Sequence, residues 1–97
     1  MKRIDEIKEI LEQHKPELGT KFQVKNLGIF GSYVRQEELD NSDLDILVEF
    51  EDSISLLKFM RLENYLSDLI GIKVDLVMKS ALKPRIGKHI LQEVVMV

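Results

Sequence analysis

The spacing of hydrophobic positions divides the chain into helical and extended segments that alternate. In residues 3–14, apolar residues recur at helical spacing with charged residues between them, which predicts a first helix. Pro16 and Gly19 are expected to end this helix. The apolar positions that begin at Phe22 and continue to Gly31 then predict a strand.

The central part of the chain predicts a short helix, a buried strand and a longer helix. Ser32 is the expected N-cap of a short helix over residues 33–38. A continuous apolar run predicts a strand over Leu44–Phe50 that is buried on both faces. The amphipathic segment after it predicts a helix of about four turns that ends at Gly71.

The last third of the chain predicts one more strand, a helix and a short apolar tail. The strand is expected over Lys73–Met78. Residues 80–93 are expected to be partly helical, with interruptions near Pro84 and Gly87. The apolar tail, residues 94–97, predicts either a short final strand or an interface patch.

This order of elements predicts the fold class. Helices and strands alternate with short connections, which indicates an α/β two-layer arrangement, in which helices pack on a small mixed sheet of three to four strands. No internal repeat, low-complexity segment or linker interrupts the pattern. We therefore expect one domain over residues 1–97.

Composition excludes several classes of protein. A hydrophobic fraction of 44% and a charged fraction of 32% are ordinary for a soluble globular chain, so a cytoplasmic location without membrane contact is expected. No stretch reaches the ~18 apolar residues of a membrane-spanning helix. The sequence contains no cysteine, which excludes disulfides and thiolate metal sites.

The charge balance argues against direct nucleic-acid binding. The net charge is −3, from 14 basic and 17 acidic residues, whereas nucleic-acid binders usually present a strongly basic face. A phosphorylated small molecule held through a metal is still compatible with this charge. Basic residues do gather late in the chain, where they form either a solvated face or a contact for a phosphate or an acidic partner: Lys79, Lys83, Arg85 and Lys88.

Two acids stand at the start of the strand predicted over Leu44–Phe50. Asp43 and Asp45 are two residues apart, so in an extended chain they project to one face, about 6.5 Å apart. Two carboxylates placed in this way repel each other, and a divalent cation relieves that repulsion. Mg²⁺ takes one or two protein carboxylates together with substrate phosphates. The pair alone is equally compatible with a capped turn followed by a solvated acid at a strand edge.

A third acid, Asp75, lies inside the strand predicted over Lys73–Met78. If this strand neighbours the one that carries Asp45, three carboxylates share one cleft. Such a cluster is what a two-metal phosphoryl-transfer site needs, because the metals hold the phosphates and activate an acceptor hydroxyl. Taken alone, Asp75 also fits a solvated acid on an edge strand.

The residues Gly31 and Ser32 form the third part of the candidate site. A strand that ends in Gly-Ser and turns into a helix offers backbone N–H groups to a phosphate, and a glycine lets the phosphate approach closely. Ser32 can donate its hydroxyl to a phosphate oxygen, and Arg35 lies one turn further on. An ordinary strand-to-helix turn with a serine cap is the alternative.

Together these residues resemble the nucleotidyltransferase superfamily that includes DNA polymerase β. Its signature is a strand, Gly-Ser, a short helix, Asp-x-Asp at the start of the next strand and a third acid on a later strand. The resemblance is closer to the minimal nucleotidyltransferases, which are domains of about this length, and it covers nearly the whole chain. The matching residues are Gly31, Ser32, Asp43, Asp45 and Asp75.

The resemblance implies roles for individual residues. Asp43, Asp45 and Asp75 are the implied catalytic residues and the ligands of Mg²⁺, with two ions expected. The implied nucleotide-binding residues are Gly31, Ser32, Arg35 and Ser42.

The resemblance also implies an activity and a partner. Some minimal nucleotidyltransferases act as antitoxins that transfer AMP from ATP onto a tyrosine of a helical HEPN toxin, and the same is expected here. Gln36 departs from the pattern, since the family usually has glycine after the arginine, and we expect it to temper the activity. The alternatives are a weak or inactive subunit that neutralises its partner by binding, or a nucleotide sensor. Oligomerisation is left open.

Overall fold

The computed structural model describes residues 3–39 and 41–97 and contains one four-stranded mixed sheet. Along the chain the elements are α1 (Ile4–Phe22), β1 (Val24–Phe30), α2 (Ser32–Arg35), β2 (Leu44–Phe50), α3 (Leu56–Ile70), β3 (Val74–Met78), a 3-10 turn (Lys79–Ala81), α4 (Pro84–Glu93) and β4 (Val95–Met96). This confirms the predicted class, a small mixed sheet with helices packed on it, and the sheet has four strands.

The strand order is β3-β2-β1-β4, so β2 lies in the interior of the sheet. β1 pairs antiparallel with both β2 and β4, whereas β2 and β3 are parallel and are connected by α3. A helix is the usual crossover between two parallel neighbours. The two strands that carry Asp45 and Asp75 are therefore adjacent, which is the arrangement that the three-acid hypothesis requires.

The hydrophobic core lies between one face of the sheet and the helices α1 and α3. Alternate residues of the strands face this core, while apolar residues at helical spacing complete it. The fully or almost fully buried members are Ile7, Leu11, Leu18, Leu27, Ile29, Tyr33, Leu44, Ile46, Val48, Leu62, Leu66, Ile70, Val74 and Leu76. Across residues 3–39 and 41–97, none of the helices is long and apolar enough to cross a membrane.

The prediction that α1 ends near Pro16 and Gly19 is wrong. The helix continues through both residues to Phe22, so the strand that follows begins at Val24 and not at Phe22. Pro16 is exposed, and it removes one backbone donor from the helix. Burial of Leu18 in the core favours continuation of the helix, since a fully buried leucine stabilises by roughly 1.5–3 kcal/mol.

The prediction for the short helix is correct in place but wrong in detail. Gly31, and not Ser32, is the N-cap, while Ser32 is the first helical residue. The helix ends at Arg35, three residues earlier than expected, because Gln36 adopts the left-handed conformation with φ 59°. α2 is therefore a single turn between two residues of positive φ.

The last helix is continuous, contrary to the interruptions expected at Pro84 and Gly87. Pro84 begins α4, where a missing N–H costs nothing because the first turn has no intrahelical acceptor. Gly87 lies within the helix and is buried. A Cβ at Gly87 would lie 3.1 Å from the Cβ of Leu82, so glycine permits the close packing of α4 on the preceding turn.

The apolar tail forms the predicted final strand. Val95 pairs with Ile29 of β1, and the backbone N–H of Val97 donates to the carbonyl oxygen of Leu27 at 3.0 Å. Gly28 faces this strand, and a Cβ there would lie 2.4 Å from Cγ2 of Val94. The tail therefore fixes the end of α4 beside β1, close to the turn that follows β1.

Candidate active site

The structure brings the three predicted acids together at one end of β2 and β3. Asp45 and Asp75 are register partners on the two parallel strands, and Asp43 immediately precedes the first residue of β2. The Asp45 side chain is half-buried, whereas Asp43 and Asp75 are exposed. Asp75 lies on the edge strand, so the interpretation as an edge-strand acid and the interpretation as a cluster member describe the same position.

Burial and neighbouring charge make Asp45 unusual. Partial burial of its carboxyl, the charges of Asp75 and Asp43, and a hydrogen-bonding contact with Asp75 raise the pKa of Asp45 to about 6. The positive charge of Arg35 acts in the opposite direction. Like charges and desolvation both disfavour ionisation of a carboxyl. At neutral pH the site therefore carries negative charge that the protein compensates only in part.

Gly31 is required by Asp45. Its backbone has φ 81°, a conformation that residues with a side chain rarely adopt. A Cβ at this position would lie 2.1 Å from Oδ2 of Asp45. Sequence reasoning assigned this glycine to a close approach of phosphate; the structure shows that the absent side chain makes room for the central carboxylate.

Sequence reasoning missed one residue of the site, Glu93 at the end of α4. The backbone N–H of Gly31 donates to Oε2 of Glu93 at 2.8 Å, and Nη1 of Arg35 donates to Oε1 at 2.8 Å. These bonds lower the pKa of Glu93, the bond from Arg35 most strongly. An acid in the last turn opposes the helix dipole, and this was the local signal that could have pointed to Glu93.

The remaining predicted nucleotide-binding residues surround the acids in different ways. Ser32 is half-buried at the start of α2, while Arg35 is held by Glu93 and also donates from Nε to Oε2 of Glu37 at 3.1 Å. Ser42 Oγ accepts the N–H of Leu39 at 2.8 Å and so closes the loop before β2. Beside this loop lies a cleft of about 420 Å³, lined by Tyr33, Asn41, Ser42, Asp43, Gly71, Ile72 and Lys73.

The donor set is compatible with Mg²⁺. In the described part of the chain, no group of three or more His, Cys, Asp or Glu side chains is already arranged to hold a metal ion. Mg²⁺ does not need such a cage, because it binds through one or two carboxylates and completes its shell with water and phosphate oxygens. Asp45 and Asp75, on neighbouring strands and with mutually repelling charges, provide such a pair.

Gln36 adopts the conformation for which glycine is suited. Its φ of 59° and ψ of 37° lie in the left-handed region, and its N–H donates to the carbonyl oxygen of Ser32, which ends α2. The residue is exposed. The backbone at this position therefore has the positive φ that glycine would adopt without strain, although glutamine occupies it.

The sheet order, the acids on two parallel strands and the Gly-Ser turn define a nucleotidyltransferase fold, and the chain belongs to the nucleotidyltransferase domain family, whose model matches residues 4–97. The chain is 56% identical over 97 residues to the protein adenylyltransferase MntA of Thermococcus cleftensis. That alignment covers 100% of this chain and 98% of the relative.

Two solved structures share the fold. One is described as a candidate minimal nucleotidyltransferase, with a TM-score of 0.74, 32% identity and coverage of 92% of this chain and 93% of that chain. The other comes from the complex of a tri-AMPylated Shewanella oneidensis HEPN toxin with its MNT antitoxin. It has a TM-score of 0.61 and 20% identity, and the match covers 95% of this chain and 66% of that one.

Replacement of Gln36 by glycine is expected to stabilise the fold. The substitution removes the cost of a left-handed residue with a side chain, about 1 kcal/mol, and part of that gain is lost to the greater freedom of glycine in the unfolded chain. We expect a net gain of about 0.5 kcal/mol in urea unfolding. Gln36→Asn, which tolerates positive φ, should lie between the two, and Gln36→Val should be the least stable. A loss of stability in Gln36→Gly contradicts this expectation.

Asp45→Asn is expected to change how stability depends on pH. The pKa of Asp45 is about 6 in the folded protein against 3.8 ordinarily, so the folded state binds this proton more tightly and loses stability as pH rises from about 4 to 6. Asparagine resembles the protonated acid and avoids that loss. The variant should exceed the wild type at pH 7.5 by on the order of 1 kcal/mol, after allowance for solvent screening.

The measurement is urea unfolding at intervals between pH 3.5 and 7.5. The difference between the two proteins should disappear at the acid end of the range. Asp68→Asn, at an exposed position on α3, controls for the loss of one surface charge. A stability difference that does not depend on pH, or a variant that is less stable than the wild type at pH 7.5, would show that ionisation of Asp45 does not destabilise the folded protein.

Proposed function

We propose that this chain is a Mg²⁺-dependent nucleotidyltransferase that transfers AMP from ATP to a tyrosine hydroxyl of a HEPN-type toxin. One observation carries the proposal: Asp45 and Asp75 are adjacent on parallel strands, with Asp43 beside them, and partial burial together with the charges of Asp75 and Asp43 raises the pKa of Asp45. The 56% identity to a protein adenylyltransferase over nearly the whole of both chains supports the reaction class.

The three acids have distinct roles in this proposal. Asp43, Asp45 and Asp75 would hold Mg²⁺, with two ions expected, and the metal supplies charge neutralisation at the phosphates and a lower pKa for the acceptor hydroxyl. The acceptor oxygen bonds to the α-phosphorus, the bond from phosphorus to the β-phosphate oxygen breaks, and pyrophosphate leaves. Asp75 is exposed on the edge strand, where its carboxylate can accept the hydroxyl proton.

The residues around the turn after β1 would bind the nucleotide. The Gly31 N–H, the Ser32 hydroxyl and the Arg35 guanidinium are donors suited to phosphate oxygens. Ser42 lies next to Asp43 on the wall of the neighbouring cleft, where it can contact the same nucleotide. ATP is proposed as the nucleotide because the relative from Thermococcus cleftensis is a protein adenylyltransferase.

The proposed partner follows from the solved antitoxin. The Shewanella oneidensis antitoxin that shares this fold was solved with a HEPN toxin that carries AMP groups. An AMP acceptor on a protein partner also suits a chain with a net charge of −3, which disfavours direct nucleic-acid binding.

A second function, neutralisation of the toxin by binding alone, is favoured by one observation. Arg35, the cation expected to bind phosphate, is already bonded to the carboxylates of Glu93 and Glu37. We also propose that glutamine at position 36, where the resemblance implies glycine, lowers the rate of AMP transfer. A binding subunit would protect against the toxin without any requirement for Asp43 or Asp75.

The test of the proposed function is AMP transfer with purified components. The chain is incubated with labelled ATP, Mg²⁺ and a HEPN-type toxin from the same genome, and mass spectrometry locates the label. We expect a labelled tyrosine on the toxin. Asp43→Asn and Asp75→Asn should each reduce transfer by about 100-fold or more, because even outer-shell partners of metal ligands cost ~10–100-fold when mutated.

The controls separate the two functions. Asp68→Asn should transfer AMP at the wild-type rate, and Gln36→Gly should transfer it faster. The enzymatic proposal is overturned if the wild type transfers no label, or if Asp43→Asn transfers as much as the wild type. If Asp43→Asn and Asp75→Asn still protect cells fully from the toxin, neutralisation by binding is the function that matters.

A further inference from the structure

The carboxylate of Glu93 bridges two donors that lie 62 and 58 residues away in the sequence. Oε2 accepts the backbone N–H of Gly31, and Oε1 accepts Nη1 of Arg35, both at 2.8 Å. The Glu93 side chain is only 23% exposed. Both bonds favour the ionised carboxylate, as the lowered pKa of Glu93 indicates. A negatively charged group therefore occupies the position between this amide and this guanidinium.

That position is chemically equivalent to a phosphate site. A carboxylate and a phosphate each offer two oxygens to a guanidinium and a neighbouring N–H, and arginine binds both with the same fork of donors. The contact therefore shows that the Gly31 and Arg35 donors can chelate one oxyanion. In this structure that oxyanion is the carboxylate of Glu93.

The occupied position is adjacent to the acid cluster. The Cα of Gly31 lies against Asp45, since a Cβ there would meet Oδ2 of Asp45 at 2.1 Å. The charge of Arg35 also reaches Asp45, where it lowers the pKa of that carboxyl. A phosphate group that binds Arg35 while a cation binds Asp45 would therefore meet the carboxylate of Glu93.

We propose that Glu93 is an intramolecular competitor for the phosphates of the nucleotide, and that it must leave Gly31 and Arg35 before nucleotide binds. The proposal rests on the proposed function, because it takes a nucleoside triphosphate as the ligand of this site. It adds a regulatory contact: the Glu93 carboxylate accepts hydrogen bonds from the Gly31 N–H and from Arg35 until a polyphosphate displaces this carboxylate.

The fold keeps this competitor at hand. Glu93 is the last residue of α4, and two residues later Val95 pairs with Ile29 on β1. A carboxylate tethered in this way has a high effective concentration at the site. Because β4 anchors the backbone next to Glu93, displacement requires rotation of the side chain and leaves the sheet intact.

The test is the affinity for inorganic tripolyphosphate, measured by calorimetry in the presence of EDTA so that no metal ion bridges the acids and the phosphates. Glu93→Gln keeps the size of the side chain but removes its charge. It should bind tripolyphosphate about 3–10-fold more tightly than the wild type, because a charge-assisted hydrogen bond no longer competes. Asp68→Asn, which removes one exposed negative charge on α3 outside the site, is the control and should change the affinity less than twofold.

A bracing role for Glu93 predicts the opposite. If Glu93 serves only to hold the turn in place, Glu93→Gln binds tripolyphosphate with equal or lower affinity, and the proposal is overturned. Absence of binding to both proteins also overturns it. NMR of the wild type, labelled with 15N and 13C, provides a second measurement that does not depend on a variant. Tripolyphosphate should shift the amide resonance of Gly31 together with the side-chain carboxyl carbon resonance of Glu93.

The outcome is independent of catalysis. Neither measurement contains Mg²⁺, toxin or an AMP acceptor, so failure of AMP transfer would leave the affinity result standing. Conversely, the wild type could transfer AMP while Glu93→Gln binds tripolyphosphate with unchanged affinity. That result would support the proposed function and overturn the proposal that Glu93 competes with phosphate.

Discussion

The adjacency of Asp45 and Asp75 on two parallel strands is the constraint on which the rest of the site depends. Parallel pairing puts the two carboxyls side by side, and partial burial of Asp45 prevents water from screening the repulsion fully. Two nearby residues accommodate the pair. Gly31 has no side chain because Asp45 occupies that space, and the positive charge of Arg35 partly compensates the negative charge of the carboxylates. The repulsion acts on β2, which is an interior strand hydrogen-bonded to both β1 and β3.

The single turn of α2 lies between this acid pair and the Arg35 guanidinium, which we propose binds phosphate. It lies between two residues of positive φ, Gly31 at 81° and Gln36 at 59°. The two positions differ in what they tolerate. At Gly31 any side chain would collide with Asp45, so glycine is required, whereas the exposed Gln36 costs only backbone strain. This difference explains why a residue with a side chain is tolerated at position 36 and not at position 31.

Sequence pattern predicted the features that depend on local chemistry. The buried run of β2 and the glycine that ends α3 at Gly71 follow from periodicity and spacing. The adjacency of the strands that carry Asp45 and Asp75 was a condition of the three-acid hypothesis, and the sheet order meets it. The end of α1 was predicted wrongly because the helix continues through Pro16, and this continuation buries Leu18 in the core. The position of Glu93 at the end of a helix was a local signal, but its partners could not be predicted, since they lie 58 and 62 residues away and the β1–β4 pairing brings them together.

The central claim is our proposal that Asp45 and Asp75 bind a divalent cation that also binds the phosphates of a nucleotide. Its most direct test is thermal unfolding at pH 7.5 with Mg²⁺ and ATP together, with each alone, and with ATP in EDTA. A ligand that binds only the folded state raises Tm with its concentration, by roughly 10–20 °C at 100 times Kd for a chain of this size. We expect Mg²⁺ and ATP together to raise the Tm of the wild type and to leave that of Asp45→Asn unchanged. An equal rise in both proteins, or no rise in the wild type, would contradict the account.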